Sequence, residues 1–133
     1  MKNPNDRPSA VVADGRALGR NLMRFLLEEQ GYQVAAETAT AFDTVRAASE
    51  HHPDLIVVHQ SCIAPSSRFG IARVKGASPS TRVIVVVPDA ATGRRYGKTA
   101  DAVVSEGPGL QELVLALQGE RIVTGRDVPV RVR

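Results

Sequence analysis

The 133-residue chain has no tryptophan, three phenylalanines, two tyrosines and one cysteine, Cys62. A lone cysteine excludes an internal disulfide, so apolar packing must hold the fold together. Aromatic residues make up 4% of the chain, too few for the stacking platform on which single-stranded nucleic acid is held. Long apolar runs are missing as well. Val83–Val87 has the length of a buried strand and falls far short of the roughly 20 residues that span a bilayer. The start, Met1 to Arg7, holds no apolar stretch suited to a signal peptide, and a cytoplasmic protein is expected.

An excess of one charge is also missing from most of the chain. The formal charge is +3, from 17 Lys and Arg against 14 Asp and Glu. Residues 1–8 contribute +1, with Lys2 and Arg7 against Asp6. Residues 119–133 contribute +2, with Arg121, Arg126, Arg131 and Arg133 against Glu120 and Asp127. The stretch between holds 11 bases and 11 acids. A neutral body with four sparse arginines at its end argues against a nucleic-acid reader.

What remains is one aliphatic domain of ordinary size, able to bury roughly two-thirds of its unfolded surface. Four short β-branched runs without alternation read as strands buried on both faces: Ala10–Ala13, Leu55–Val58, Val83–Val87 and Ala102–Val104. A fifth, Tyr32–Ala36, is less apolar and suits a place near an edge. Between them lie segments with helical periodicity. In the first, Leu18, Leu22, Phe25, Leu26 and Leu27 predict an apolar stripe that ends at Gly31, with Arg16, Arg20, Arg24 and Glu28 facing out. Thr40–Ser49 carries Phe42, Val45 and Ala48 behind the candidate cap Thr40. Arg68–Gly76 carries Phe69, Ala72 and Val74. Ala90–Thr99 is weakly patterned, and Leu110–Gln118 carries Leu110, Leu113, Val114, Leu115 and Leu117. Alternating strands and helices with wholly apolar strands predict an α/β, flavodoxin-like three-layer sandwich: five parallel strands with five helices over both faces. The expected organisation is a disordered leader over 1–8, a domain over 9–118 and an extended arm or hairpin over 119–133, where Pro129 permits only an edge strand.

Over about residues 9–118 the sequence resembles the receiver domain of two-component response regulators. The resemblance is carried by Val11-Val12-Ala13-Asp14, by Leu26-Leu27-Glu28-Glu29-Gln30-Gly31-Tyr32 and by Pro53-Asp54-Leu55-Ile56-Val57-Val58. It implies a known chemistry. An acid pair after the first strand and an acceptor aspartate after the third bind magnesium, and the acceptor takes a phosphoryl group from a histidine kinase. The residues at those positions depart from the pattern. Asp14 stands at the first acid, Gly15 at the second and His59 at the phosphoacceptor; Val87 replaces the switch hydroxyl, and Ser105, followed by Glu106, replaces the lysine. Magnesium asks for several hard oxygen ligands, and acyl-phosphate chemistry asks for a carboxylate nucleophile whose charge is offset. The expectation is a degenerate pseudo-receiver that needs no cofactor and is not an enzyme.

His59 admits several readings: a phosphohistidine, a metal ligand or a pH sensor on one side, and on the other a polar side chain filling the former acid pocket against Asp14. Asp14 reads as a helix cap at Gly15 or Arg16, or as half of a ligand site with His59. For a metal site Asp14 and His59 would be two ligands and Cys62 a third on the following loop, where zinc needs three or four. Arg94, Arg95 and Lys98 mark a candidate partner face. The expected function is that of a non-catalytic signalling module acting through protein contacts, with a signalling protein or its own copy as partner. The alternative is a sensor that binds a small molecule among Asp14, His59, Gln60, Val87 and Ser105.

Overall fold

The computed structural model describes residues 7–63 and 67–118, and of residues 67–69 the backbone alone. Five strands form one parallel sheet: β1 (Ser9–Ala13), β2 (Gln33–Thr38), β3 (Leu55–His59), β4 (Arg82–Val87) and β5 (Ala102–Ser105). Their spatial order is β2-β1-β3-β4-β5. The expected flavodoxin-like sheet is thus present, with the less apolar β2 at one edge. Pairing on that edge reaches back to Pro8, whose carbonyl accepts the Gln33 N–H at 2.8 Å. The proposed arm over 119–133 and the leader up to residue 6 lie outside the described residues.

The strands interleave two cores. On one face Val11, Ile56, Val58, Val83 and Val85 pack with Ala47, Ala48, Ile71, Val74 and Tyr96. On the other Val12, Leu55, Val57, Ile84 and Val86 pack with Met23, Leu27, Leu113 and Leu117. Consecutive strand residues point to opposite faces, so a run with no polar positions requires helices on both sides. Those helices are α1 (Ala17–Glu29), α2 (Ala41–His51), α3 (Ser67–Ala77), α4 (Ala90–Gly93) and α5 (Gln111–Gln118). Thr40 caps α2, its hydroxyl accepting the Asp43 N–H at 3.1 Å. Gly31, at φ 94°, lets the chain leave α1 in the left-handed region that favours glycine.

The helix faces differ from the expected ones. In α1 the buried side chains are Met23 and Leu27, whereas Leu18 is 80% exposed, Phe25 58% and Leu22 39%. The expected stripe merged two faces because leucines at 18, 22, 26 and 27 satisfy helical spacing over more than half the circumference. In α2, Phe42 is 74% exposed and the buried positions are Thr44, Ala47 and Ala48. In α3, Ile71 and Val74 are buried and Ala72 is exposed; the Phe69 side chain lies outside the described residues. In α5, Leu113, Ala116 and Leu117 are buried and Leu115 is exposed. The fourth helix is a single turn followed by the 3-10 turn Arg94–Tyr96, which buries Tyr96 completely. Its hydroxyl donates to Gln60 Oε1 at 3.3 Å. Two small-residue glycine positions, Gly93 and Gly97, leave too little apolar stripe for a longer helix there.

Burial sets which substitutions matter. Leu27→Ala should destabilise the domain by about 2–5 kcal/mol, and Phe42→Ala should change stability by no more than about 0.5 kcal/mol, as urea unfolding would measure.

Candidate functional site

The C-terminal ends of β1, β3 and β5 bring Asp14, His59 and Glu106 together. Asp14 directly follows β1 and is 1% exposed, its backbone N–H donating to the Thr38 carbonyl at the end of β2. The chain turns at Gly15 and enters α1 with Arg16 at the N-cap position. There Arg16 folds back as a two-pronged donor. Nε lies 3.0 Å from Asp14 Oδ1 and Nη2 2.9 Å from Oδ2, while the Arg16 backbone N–H donates to Oδ1 at 2.9 Å. The same Nη2 reaches Glu106 Oε2 at 3.1 Å. Arg20 adds a bond from Nη1 to the Asp14 carbonyl at 2.9 Å. A Cβ on Gly19 would overlap the Asp14 carboxylate, so glycine is what lets the first turn of α1 lie on the buried acid.

Asp14 therefore does not cap α1, which starts at Ala17 without a side-chain cap. Its carboxylate closes the turn before the helix and anchors Arg16. Nor does it bond His59, as the pocket-filling reading had it. The β3 alternation turns His59 to the α1 and α5 side beside Val86, where it is 6% exposed. The Ser61 backbone N–H donates to His59 Nδ1 at 3.0 Å, with the Ser61 hydroxyl 2.9 Å from the same nitrogen. An accepting Nδ1 carries no proton, which leaves Nε2–H to donate to Glu106 Oε2 at 3.1 Å. Both ring nitrogens are engaged, and Glu106 Oε2 receives one bond from His59 and one from Arg16.

The pocket thus contains its own cation. Burial pushes the Asp14 carboxyl upward, but the Arg16 side-chain and backbone hydrogen bonds, together with the charge of Arg16, outweigh it and hold Asp14 below its ordinary value. The same bond to Asp14 raises the Arg16 guanidinium. A divalent cation of the kind implied by the resemblance does not fit these residues, because a guanidinium already occupies both oxygens of the buried carboxylate and would repel it. Among the described residues no trio of His, Cys, Asp and Glu is arranged to hold a metal. Cys62 is buried, and desolvation pushes its thiol up to about 11, an unreactive setting.

The remaining predicted residues scatter. Gly15 is exposed, its N–H donating to Ser61 Oγ at 3.3 Å. Val87 is fully buried in the α2 and α3 core, and the Ser105 N–H is taken by Glu112 Oε1 at 2.8 Å. Arg94, Arg95 and Lys98 are exposed around the α4 turn. A cavity of ≈ 590 Å³ opens over the site, lined by Asp14, Arg16, His59 and Glu106 at one end and by Leu18, Leu22, Met23, Val86 and Leu110 along its walls. Of the five positions expected to line a ligand pocket, Asp14 and His59 do so, while Gln60, Val87 and Ser105 do not. Arg16, Ser61 and Glu106 complete the site. Asp14-Gly15-Arg16 carried a local signal, since an arginine two residues after a buried acid across a glycine turn can reach back to it.

No family model matches the chain, and no curated protein matches it. Solved structures do match. A LuxR-family two-component response regulator from Aurantimonas sp. SI85-9A1 shares 21% identity, covering 96% of each chain with a TM-score of 0.78. A response regulator receiver domain protein from Clostridium thermocellum shares 17%, covering 84% of this chain and 92% of its own with a TM-score of 0.70. The signal receiver domain of a NarL response regulator from Mycobacterium tuberculosis shares 16%, covering 86% and 98% with a TM-score of 0.68. The fold of this chain is the fold of receiver domains.

The clamp predicts two measurable effects. Arg16→Gln leaves the buried Asp14 carboxylate with fewer donors and without the cation bound to its two oxygens; because the arginine is half exposed, the loss should be about 1–3 kcal/mol at pH 7. Asp14 is lowered in the folded state, so its contribution is present above the unfolded value near 4 and is lost as pH falls through the folded one. The gap between wild type and Arg16→Gln should therefore close below about pH 4, as acid titrations of stability would show. In 15N spectra of the neutral ring, the protonated nitrogen of His59 should be Nε2; Nδ1–H would contradict the arrangement.

Proposed function

We propose that this domain is a receiver-like signalling module that works through protein contacts and without aspartyl phosphorylation. The observation that carries the reading is the state of the strand-end pocket. The position matched to the phosphoacceptor by resemblance holds His59, both of whose nitrogens are engaged, and the remaining acid is held by Arg16. A phosphoryl acceptor needs a free nucleophilic lone pair and a cation positioned for the incoming oxygens. Here Nδ1 is taken by a backbone N–H, and the guanidinium is spent on two carboxylates. Such a domain has no chemistry of its own, is not an enzyme and uses no cofactor. Its output is a surface, for which the exposed Arg94, Arg95 and Lys98 are a candidate partner face. We place it in the cytoplasm, where a single free cysteine is at home; no helix among the described residues is long and apolar enough to cross a membrane.

The cavity favours a second reading, that of a sensor for a small molecule. At ≈ 590 Å³ it lies within the range of ligand sites, with apolar walls and charged groups at one end. Its ligand would lie against Leu18, Leu22 and Leu110 and meet Arg16 and Glu106 at the base.

Incubating the pure protein with acetyl phosphate and magnesium and weighing it by mass spectrometry separates phosphorylation from both readings. No phosphoryl adduct is expected, and a stoichiometric one would overturn the proposal. For the sensor, a fraction of cell extract should raise the melting temperature of wild type and not of Leu22→Asp, by mass action on the folded state.

A further inference from the structure

We infer that α1 is a self-association surface on which two copies pair antiparallel about a two-fold axis near Leu22. This rests on the reading of a domain that acts through protein contacts and deepens it by naming one contact; two of its residues, Leu18 and Leu22, also form walls of the strand-end cavity.

Leu18, Leu22 and Phe25 recur at intervals of four and three, which places them within an arc of about 60° on the helix. All three are exposed, while Met23 and Leu27 carry the core contacts from a different side. The flank toward β2 is separately used: Arg20 and Arg24 both pair with Glu37 on that strand. The stripe is therefore neither spare core nor part of the β2 contact. Alternating steps of three and four are the spacing of a seam that packs against another helix.

Charge identifies the occupant as a second copy. Helix α1 has no acid in its first turn and no base in its last. It begins at Arg16, which gives no side-chain cap, and ends on Glu28 and Glu29. Acids at the negative pole oppose the helix dipole. Glu28 is offset by Arg24 at 3.2 Å, but Glu29, in line with the stripe, has no ion-pair partner among the described residues. Antiparallel pairing about Leu22 sets Leu18 against Phe25 of the other copy and brings Glu29 to the start of the other α1. The exposed Gly15 adds no side chain there, and Arg16 gives the first turn no side-chain cap. The two-fold axis makes the match at both ends at once, so a single stripe and a single acid suffice. A helix of 13 residues is about 20 Å long, so this interface belongs to the small class and its dimer should be weak, in the micromolar range or above.

Sedimentation equilibrium from about 10 μM to about 1 mM tests the inference. Wild type should pass from monomer toward dimer. Leu22→Glu should remain monomeric with an unchanged unfolding profile at low concentration, and Glu29→Arg should weaken the dimer about tenfold. Direction is read by cross-linking in a Cys62→Ser background. Leu22→Cys should cross-link to itself, and a mixture of Leu18→Cys and Phe25→Cys should give a mixed dimer in preference to either alone. A chain that stays monomeric throughout would overturn the inference, as would a dimer that Leu22→Glu leaves intact or a Leu18→Cys dimer that forms alone in preference. None of these outcomes bears on the phosphodonor experiment, so the two readings fail separately.

Discussion

A carboxylate that is 1% exposed must be neutralised by something, and the architecture around the strand ends follows from how Asp14 is. Removing such a group from water costs several kcal/mol unless donors and an opposite charge replace the lost hydration. Arg16 supplies both from two residues away, and to do so it requires the sharp turn at Gly15 and the missing Cβ at Gly19. The Nη2 shared with Glu106 then ties the loop after β5 to the loop after β1, and His59 ties the end of β3 to the same carboxylate. Three loops that would otherwise end independently at one edge of a parallel sheet are held in one hydrogen-bonded set.

That set uses its polar groups on one another. Asp14 Oδ1 receives two bonds from Arg16, Glu106 Oε2 receives two from different residues, and His59 spends a lone pair on a backbone N–H. A pocket built for transfer chemistry keeps at least one nucleophile or cation positioned toward the incoming group. In this one the buried polar groups are satisfied by one another, and the gain is rigidity: a fully satisfied network fixes the loop conformations around it. The same Arg16 lines the cavity with half its surface in solvent. A ligand entering there would compete with an internal ion pair, which gives the ligand reading a built-in energetic cost that a contact on exposed apolar side chains does not bear.

The strands were legible because a sheet buried on both faces leaves one-dimensional evidence: four or five β-branched residues in a row with no polar partner. Thr40 and Gly31 were legible for the same local reason, since each solves a helix-end problem its neighbours pose. The helix faces were not. In α1, apolar residues cover two sides, and spacing alone cannot say which side meets the sheet; in α2 the face is set by Thr44, Ala47 and Ala48, small residues with little hydrophobic signal, and the large Phe42 points away. The pocket was half legible. Asp14 and His59 follow from strand ends, but Glu106 owes its place to the path of the loop after β5, with partners 47 and 90 residues away, and Ser61 to the turn after β3 that also brings it to Gly15, 46 residues away.

Where the large apolar side chains went sets what surface the domain offers. The sheet is packed with Val, Ile, Leu and Ala, and among the described residues Tyr96 is the largest side chain buried completely. Phe25 and Phe42, two of the three phenylalanines, are largely in solvent, as are Leu18 and Leu115. A helix on a doubly wound sheet needs an apolar face of about 100° to bury, and residues beyond that arc add nothing to the core. Exposed aliphatic and aromatic groups favour association over solubility unless something covers them. Aromatic and leucine side chains carry more binding energy per residue than the small polar groups that would suit a solvated helix. With the strand-end groups engaged by one another, the exposed apolar side chains, clustered on α1 at Leu18, Leu22 and Phe25 and standing singly at Phe42 and Leu115, are what the described residues leave free for contacts.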